Sequence, residues 1–166
     1  MATKDFSTKQ ERSISKFLSW RTVVGSGARD FHPGDIISDD WLGECKTHTT
    51  IVPRIVFYRN FWDKIVDEAN SINRYPALFV DNGSQKINDT WVMFNPAIIR
   101  PDDSQIVPNI VNSKDINISF NNDNMKVQYQ KLKEASDKFI ILSAKFNFCN
   151  INVGVVPLID FRDMFC

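Results

Sequence analysis

Two acidic residues and a lysine stand close together in the segment PGDIISDDWLGECK, residues 33–46. Asp35 comes first, and Lys46 follows Glu44 after a single spacer. Carboxylate oxygens bind hard cations such as Mg²⁺, which polarise a phosphate and lower the pKa of a bound water. A neighbouring ammonium group can orient that water and offset negative charge that builds up on the phosphorus centre. Together, these residue types indicate phosphodiester hydrolysis.

A β-hairpin would bring the two acidic side chains together. The apolar pattern predicts strands over residues 35–38 and 41–46, with Asp39 and Asp40 as a two-residue turn. In that register Asp35 lies opposite Glu44, and directly opposed Cβ atoms are about 4.5–5.5 Å apart. We therefore expect the two side chains to point to one face of the sheet.

Two carboxylates held so close repel each other unless a positive charge lies between them. We expect that charge to be Mg²⁺ or Mn²⁺, bound by Asp35 and Glu44. The backbone carbonyl of Cys45 is a further candidate ligand. Lys46 would lie one pleat beyond Glu44 on the same face, where it could hold a water or a phosphate oxygen.

A helix before the hairpin carries another acidic residue. The segment STKQERSISKFLSW predicts a helix with Ser7 as its N-cap and Gln10 as the capping-box partner. Glu11 lies three and seven residues before Ile14 and Leu18, so it shares their apolar face. Its carboxylate should therefore point towards the core.

The remaining elements alternate between strands and helices. The pattern predicts these further elements up to residue 94: a short β-prone run at 21–24, the loop GSGARDFHPG, a strand within 51–58, a helix from the cap Asn60 to about 71, and strands at 77–80 and 90–94 joined by a turn at 81–83. Later elements are a helix at 129–137, a strand at 139–146 and a final strand with a helical turn. This order predicts an α/β (mixed α+β) fold with a central mixed β-sheet flanked by helices.

The length of 166 residues suits one domain. We expect a core over about residues 7–95, followed at 96–166 by an Asn-rich insertion and C-terminal strands and helix. Hydrophobic residues make up 43% of the chain, which is too many for a disordered protein.

Composition also bears on the compartment and the partners. No run of about 18 apolar residues occurs, and the N-terminus lacks the apolar segment of a signal peptide. Three cysteines without a CxxC pair indicate free thiols. We expect a cytoplasmic protein without membrane contact. The formal net charge of zero counts mildly against a nucleic-acid binder, but it leaves room for a local basic patch.

Asp35 with Glu44-Cys45-Lys46 resembles the D-(x)n-(D/E)-x-K signature of the PD-(D/E)xK nuclease superfamily. The order of motifs is similar to that of archaeal Holliday-junction resolvases and related phage nucleases. It consists of a helix glutamate, GSGxR, GD…ECK, and then a helix and a strand. The resemblance covers about residues 7–95. It implies a restriction-endonuclease-like core, cleavage of branched DNA and a homodimer with two active sites.

The resemblance also implies roles for individual residues. Asp35, Glu44, Lys46 and Glu11 would form the catalytic and metal site, and Ser26 would lie near the scissile phosphate. Further candidates for DNA contact are Arg29, Lys16, Arg21, His32 and His48. The family often has Gln or Lys facing the site from the following helix; the matching stretch here, RNFWDKIVDEA, offers Phe61 and Trp62 instead.

Other interpretations remain open at this point. Asp35 and Glu44 could be solvated strand residues, although the apolar Ile37 and Leu42 on their face argue against it. Lys46 could be a plain salt-bridge partner of Glu44. The alternatives for function are a restriction or repair-type endonuclease on duplex DNA, and a non-catalytic DNA-binding or assembly protein with this fold.

Overall fold

The computed structural model describes residues 3–24, 33–99, 109–110, 119–120, 123–134, 140–146 and 149–166. The helices in these ranges are α1 (Thr3–Leu18), α2 (Arg59–Ser71), α3 (Tyr129–Glu134) and α4 (Leu158–Phe165). The strands are β1 (Arg21–Thr22), β2 (Ile36–Ile37), β3 (Trp41–Lys46), β4 (Arg54–Tyr58), β5 (Tyr75–Val80), β6 (Trp91–Phe94), β7 (Asn109–Ile110), β8 (Ser119–Phe120), β9 (Asn124–Gln128), β10 (Ile140–Phe146) and β11 (Cys149–Pro157).

The strands form a large mixed sheet and a small antiparallel sheet. The large sheet has the order β1-β2-β3-β5-β6-β11-β10-β7, and the small sheet has the order β4-β9-β8. In the large sheet β3 runs parallel to β5, and β7 runs parallel to β10; the other neighbours are antiparallel. The predicted mixed α+β class with a central mixed sheet flanked by helices is confirmed.

The chain leaves β3, passes through β4 and α2, and returns as β5 beside β3 in the parallel direction. Parallel neighbours need such a crossover because no tight turn can join them. Since α2 packs against both strands, this unit places a helix face directly over β3.

Apolar residues cover both faces of the large sheet. One face packs against α1 and α4, and Phe161 of α4 is fully buried among the rings of Trp20, Trp41, Phe79 and Phe94. The opposite face packs against α2 and the small sheet through residues such as Leu42, Ile55, Phe57, Ile65 and Met125. The central strands are therefore buried on both sides, as near-continuous apolar runs such as YPALFV indicate.

Several boundaries differ from the sequence predictions. α1 begins at Thr3, so Ser7 lies inside the helix and does not cap it. α2 begins at Arg59, and Tyr58 occupies the N-cap position without a side-chain cap bond, so the assignment of Asn60 as the cap was wrong. Strand β4 leads directly into α2, and this direct entry fixes the helix start instead of a capping side chain.

The strand predicted within residues 51–58 exists, but it lies in the small sheet. Its partner is β9, with Arg54 opposite Gln128 and Tyr58 opposite Asn124. α3 is described up to Glu134, and most of the Asn-rich segment lies outside the described residues. None of the described helices combines the length and the apolar character that crossing a membrane would require.

Candidate active site

The hairpin that carries the acidic residues forms in the predicted register. Ile36 pairs with Gly43 and Ile37 pairs with Leu42. The N–H of Ser38 donates to the carbonyl of Trp41 at 3.0 Å, which closes the turn over Asp39 and Asp40. The paired register ends at Ile36, where the N–H of Asp35 also donates to the carbonyl of Gly43, at 2.8 Å. The predicted Asp35–Glu44 pair is therefore not part of the ladder, but the two carboxylates remain close enough for their charges to interact.

Asp35 is fixed by the backbone on both sides. Its Oδ2 accepts a hydrogen bond from the N–H of Cys45 at 2.8 Å. The preceding Gly34 has φ +66°, and a Cβ there would lie 2.8 Å from the side chain of Leu42. Only glycine suits this conformation and this space. The N–H of Gly34 donates to Oε2 of Glu68 on α2 at 2.9 Å, so the residue before Asp35 is hydrogen-bonded to that helix.

Glu44 is buried between two lysines. Its side chain is 4% exposed, and its two oxygens accept from Nζ of Lys46 at 2.6 Å and from Nζ of Lys64 at 3.1 Å. Lys46 and Lys64 remain 33% and 50% exposed, so both ammonium groups stay in contact with solvent. Glu44 is therefore not the solvated strand residue of the alternative interpretation.

Lys64 is a site residue that the sequence comparison missed. It lies on α2 in the stretch where Phe61 and Trp62 were considered, and its Nζ also lies 3.6 Å from Oε1 of Glu68. Although burial opposes its charge, the nearby carboxylates, Glu44 first, raise the pKa of Lys64 above its ordinary value. The spacing along the helix could have identified it, because Lys64 lies three residues after Phe61 and four before Glu68 and so shares one helix face with both.

Glu11 belongs to the same electrostatic cluster. Burial and then the charge of Asp35 raise the pKa of Glu11. Burial and then the charge of Glu44 raise the pKa of Asp35, although the Cys45 N–H and both lysines oppose the shift. The structure thus brings the carboxylates of α1, the hairpin and β3 into one interacting group.

The charges of this group do not balance. Within the part of the chain that the structure describes, Glu11, Asp35, Glu44 and Glu68 face two ammonium groups, those of Lys46 and Lys64. The excess corresponds to the charge of one divalent cation. In a partly buried site such an excess is costly unless a cation or a proton compensates it.

A hard divalent cation fits the donors, although they do not form a complete cage. The N–H of Cys45 points to the edge of β3 where Asp35 lies, and the carbonyl of a strand residue points to the same edge as its N–H. This carbonyl, Asp35 and Glu44 offer the oxygen ligands that Mg²⁺ prefers, and Mg²⁺ usually keeps several waters. Within the described ranges, no three His, Cys, Asp or Glu side chains lie close enough to enclose a metal by themselves.

The aromatic residues at the start of α2 have different environments. Trp62 is 4% exposed and packs in the core. Phe61 is only partly buried, and Nζ of Lys46 lies 4.7 Å from its ring centroid. Phe61 therefore also forms one wall beside Lys46. The thiol of Cys45 is fully buried in the opposite core, and burial raises its pKa, which fits the predicted core thiol.

The predicted DNA contacts fall in different places. Lys16 is exposed in the last turn of α1, five residues from Glu11 and so on another side of the helix. Arg21 is exposed on β1, opposite Ile37. His48 is half-buried just beyond β3. Ser26, Arg29 and His32 lie outside the described residues.

A buried polar network beneath the site joins α1 to the ends of β3 and β5. Nε2 of Gln10 donates to the carbonyl of Lys46 at 3.0 Å and to Oδ2 of Asp81 at 3.2 Å. Oδ1 of Asp81 accepts from Oγ1 of Thr47 at 2.6 Å and from the N–H of Gly83 at 2.7 Å. Gln10 and Asp81 are 1% and 0% exposed, and this network sets the position of Glu11 relative to Lys46.

Replacing Asp35 by asparagine should stabilise the metal-free protein. The carboxamide oxygen can still accept from the Cys45 N–H, while the charge that burial and Glu44 disfavour is removed. We expect a gain of roughly 1 kcal/mol at pH 7, or about 3 °C in melting temperature. The pKa of Asp35 is 3.8 in the unfolded chain and higher in the folded protein. The wild type therefore loses stability as the pH rises from 3.8 through the folded-state pKa, and the gain from Asp35→Asn should vanish below pH 3.8.

Thermal melts in a chelating buffer at pH 7 and pH 3.5 would measure this difference. Asp67→Asn, an exposed carboxylate on the same helix as Lys64, is the matched control and should change the melting temperature little. A melting temperature of Asp35→Asn at or below that of the wild type at pH 7 would show that the Asp35 charge is not under repulsion.

Comparisons of the chain with protein-family models, with curated proteins and with solved structures found no match.

Proposed function

We propose that this protein is a metal-dependent DNA endonuclease with a restriction-endonuclease-like core, and that it hydrolyses phosphodiester bonds of branched DNA. The observation that carries the proposal is the convergence of Asp35, Glu44 and Lys46 at one end of the hairpin, with a net negative charge among the described residues around them. The order of a glutamate-bearing helix, the hairpin, a helix and a parallel strand supports it, because this is the order that the PD-(D/E)xK resemblance implies.

The chain's own residues have distinct tasks in this reaction. Asp35, Glu44 and the Cys45 carbonyl would hold the cation, which when bound supplies a polarised phosphate and a water of lowered pKa. Lys46 carries its ammonium group on the face of Glu44, at the solvent boundary, where it can orient the attacking water and offset charge on the phosphate. Lys64 would retain Glu44 when Lys46 turns to the substrate, since the two lysines bind different oxygens.

Glu11 would support the site from α1. Its carboxylate interacts with Asp35 and Glu44, and a metal-bound water could bridge it to the cation. From the resemblance we further expect a homodimer, because resolving a symmetric branched DNA needs two active sites.

Cleavage assays with matched DNAs would test this function. The wild type should cut a labelled branched DNA in the presence of Mg²⁺ and lose the activity with a chelator, and Asp35→Asn should lose it in both conditions. A linear duplex of the same sequence separates branched-DNA cleavage from a restriction or repair-type activity. No Mg²⁺-dependent cleavage of either DNA by the wild type would contradict the endonuclease proposal.

A second candidate is a DNA-binding or assembly protein without catalysis. Both carboxylate oxygens of Glu44 are held by lysines, which would compete with a metal for the same atoms. In that case the wild type and Asp35→Asn would bind DNA equally, and Mg²⁺ would not raise the melting temperature of the wild type.

A further inference from the structure

An aromatic pair lies directly beside Lys46. Tyr58 ends β4, and its ring centroid lies 5.6 Å from that of Phe61 with the ring planes at 77°. Phe61 in turn lies under Nζ of Lys46, at 4.7 Å. Two aromatic rings therefore extend from the lysine to the protein surface.

Tyr58 contributes little to the core. Along β4 the side chains of Ile55 and Phe57 point inward and are fully buried, so Arg54 and Tyr58 alternate to the outer face. Tyr58 is 38% exposed. A tyrosine with one exposed face offers a surface on which a planar group can stack.

Two cations lie on the same outer face of the small sheet. Arg54 is exposed about 13 Å from Tyr58 along the strand, four residues at about 3.3 Å each. Lys126 of β9 pairs with Val56, between Arg54 and Tyr58. Within the described residues, neither Arg54 nor Lys126 forms an ion pair, so both charges are available to a phosphate backbone.

We propose that this basic–aromatic track, formed by Arg54, Lys126, Tyr58 and Phe61, binds an unpaired strand of DNA and stacks a base on Tyr58 next to the bond that is cut. Aromatic rings with neighbouring cations are how proteins hold single strands without reading sequence. In a continuous duplex the faces of the bases are covered by stacking, so no base can stack on Tyr58. The inference rests on the proposed function and narrows its substrate to DNA with unpaired nucleotides beside the cleavage site.

Binding measurements with Ca²⁺ in place of Mg²⁺ would test the track without cleavage. The probes are a splayed-arm DNA with 2-aminopurine in the unpaired arm and a fully paired duplex of the same sequence. The variant is Tyr58→Ala. The controls are Tyr58→Phe, which keeps the ring, and Tyr75→Ala, which removes a somewhat more exposed tyrosine at the opposite end of the parallel strand pair from Lys46.

Tyr58→Ala should weaken binding of the splayed-arm DNA about tenfold and abolish quenching of the 2-aminopurine fluorescence, with duplex affinity changed less than about twofold. Tyr58→Phe and Tyr75→Ala should bind both DNAs like the wild type. Equal losses for both DNAs, or no loss, would overturn the track while leaving an active wild-type endonuclease intact. A wild type that binds and cuts neither DNA would overturn the proposed function and the track together.

Discussion

The Lys46→Met variant is expected to cut DNA on the order of 1000-fold more slowly than the wild type while binding it with little change. The methionine keeps an unbranched stem over Phe61 and removes the ammonium group that contacts Oε1 of Glu44. The group that orients the water and offsets charge in the transition state is then missing. Because Lys64 still binds the other oxygen of Glu44, the buried carboxylate keeps a partner and the fold should persist.

Single-turnover cleavage with saturating protein would measure this loss separately from binding. Lys9→Met is the matched control, since Lys9 is exposed on α1 and, two residues from Glu11, lies on another side of that helix. The control should cleave at nearly the wild-type rate. A Lys46→Met variant that retains more than about a tenth of the wild-type rate would show that Lys46 takes no part in the chemical step. The loss of one donor that stabilises the transition state typically lowers the rate by more than tenfold.

Asp81→Ala should lower the free energy of unfolding by about 3 kcal/mol, because it leaves several buried donors without an acceptor. Those donors are Thr47 Oγ1, the Gly83 N–H and Gln10 Nε2. Burial raises the pKa of Asp81, and the hydrogen bonds from these partners oppose that shift, so they hold the charged form in place. Losing them should loosen α1 from the end of β3.

Asp81→Asn is the matched control for that change. Its carboxamide oxygen can accept from Thr47 and from the Gly83 N–H, while the bond from Gln10 Nε2 is lost, at a cost of about 1 kcal/mol. Urea unfolding of both variants would measure the difference. If the alanine and asparagine variants lost equal stability, the network would not be what fixes the helix.

The hairpin could be predicted from the sequence because its determinants are local. Asp39 and Asp40 supply a two-residue turn, and the length of that turn fixes the register that pairs Ile37 with Leu42. That register brings Asp35 and Glu44 to the same end of the hairpin.

The rest of the site depends on contacts between distant residues. That β4 joins a small sheet depends on its pairing with β9, about 70 residues later, which nothing in its own sequence specifies. Lys64 reaches Glu44 only because α2 crosses over β3, and its sequence neighbours Phe61 and Trp62 gave a stronger apolar signal. The helix starts were misplaced because Ser7 and Asn60 are good caps that the tertiary structure does not use.

The most direct test of the account is a crystal of the protein soaked in Mn²⁺ and measured for anomalous scattering. We expect one strong peak within about 2.5 Å of oxygens from Asp35, Glu44 and the Cys45 carbonyl, with Nζ of Lys46 moved off Glu44. The Asp35→Asn crystal should lack the peak. A map with no peak at the hairpin, and with Lys46 and Lys64 still on Glu44, would contradict the central claim that these two acids hold a catalytic cation.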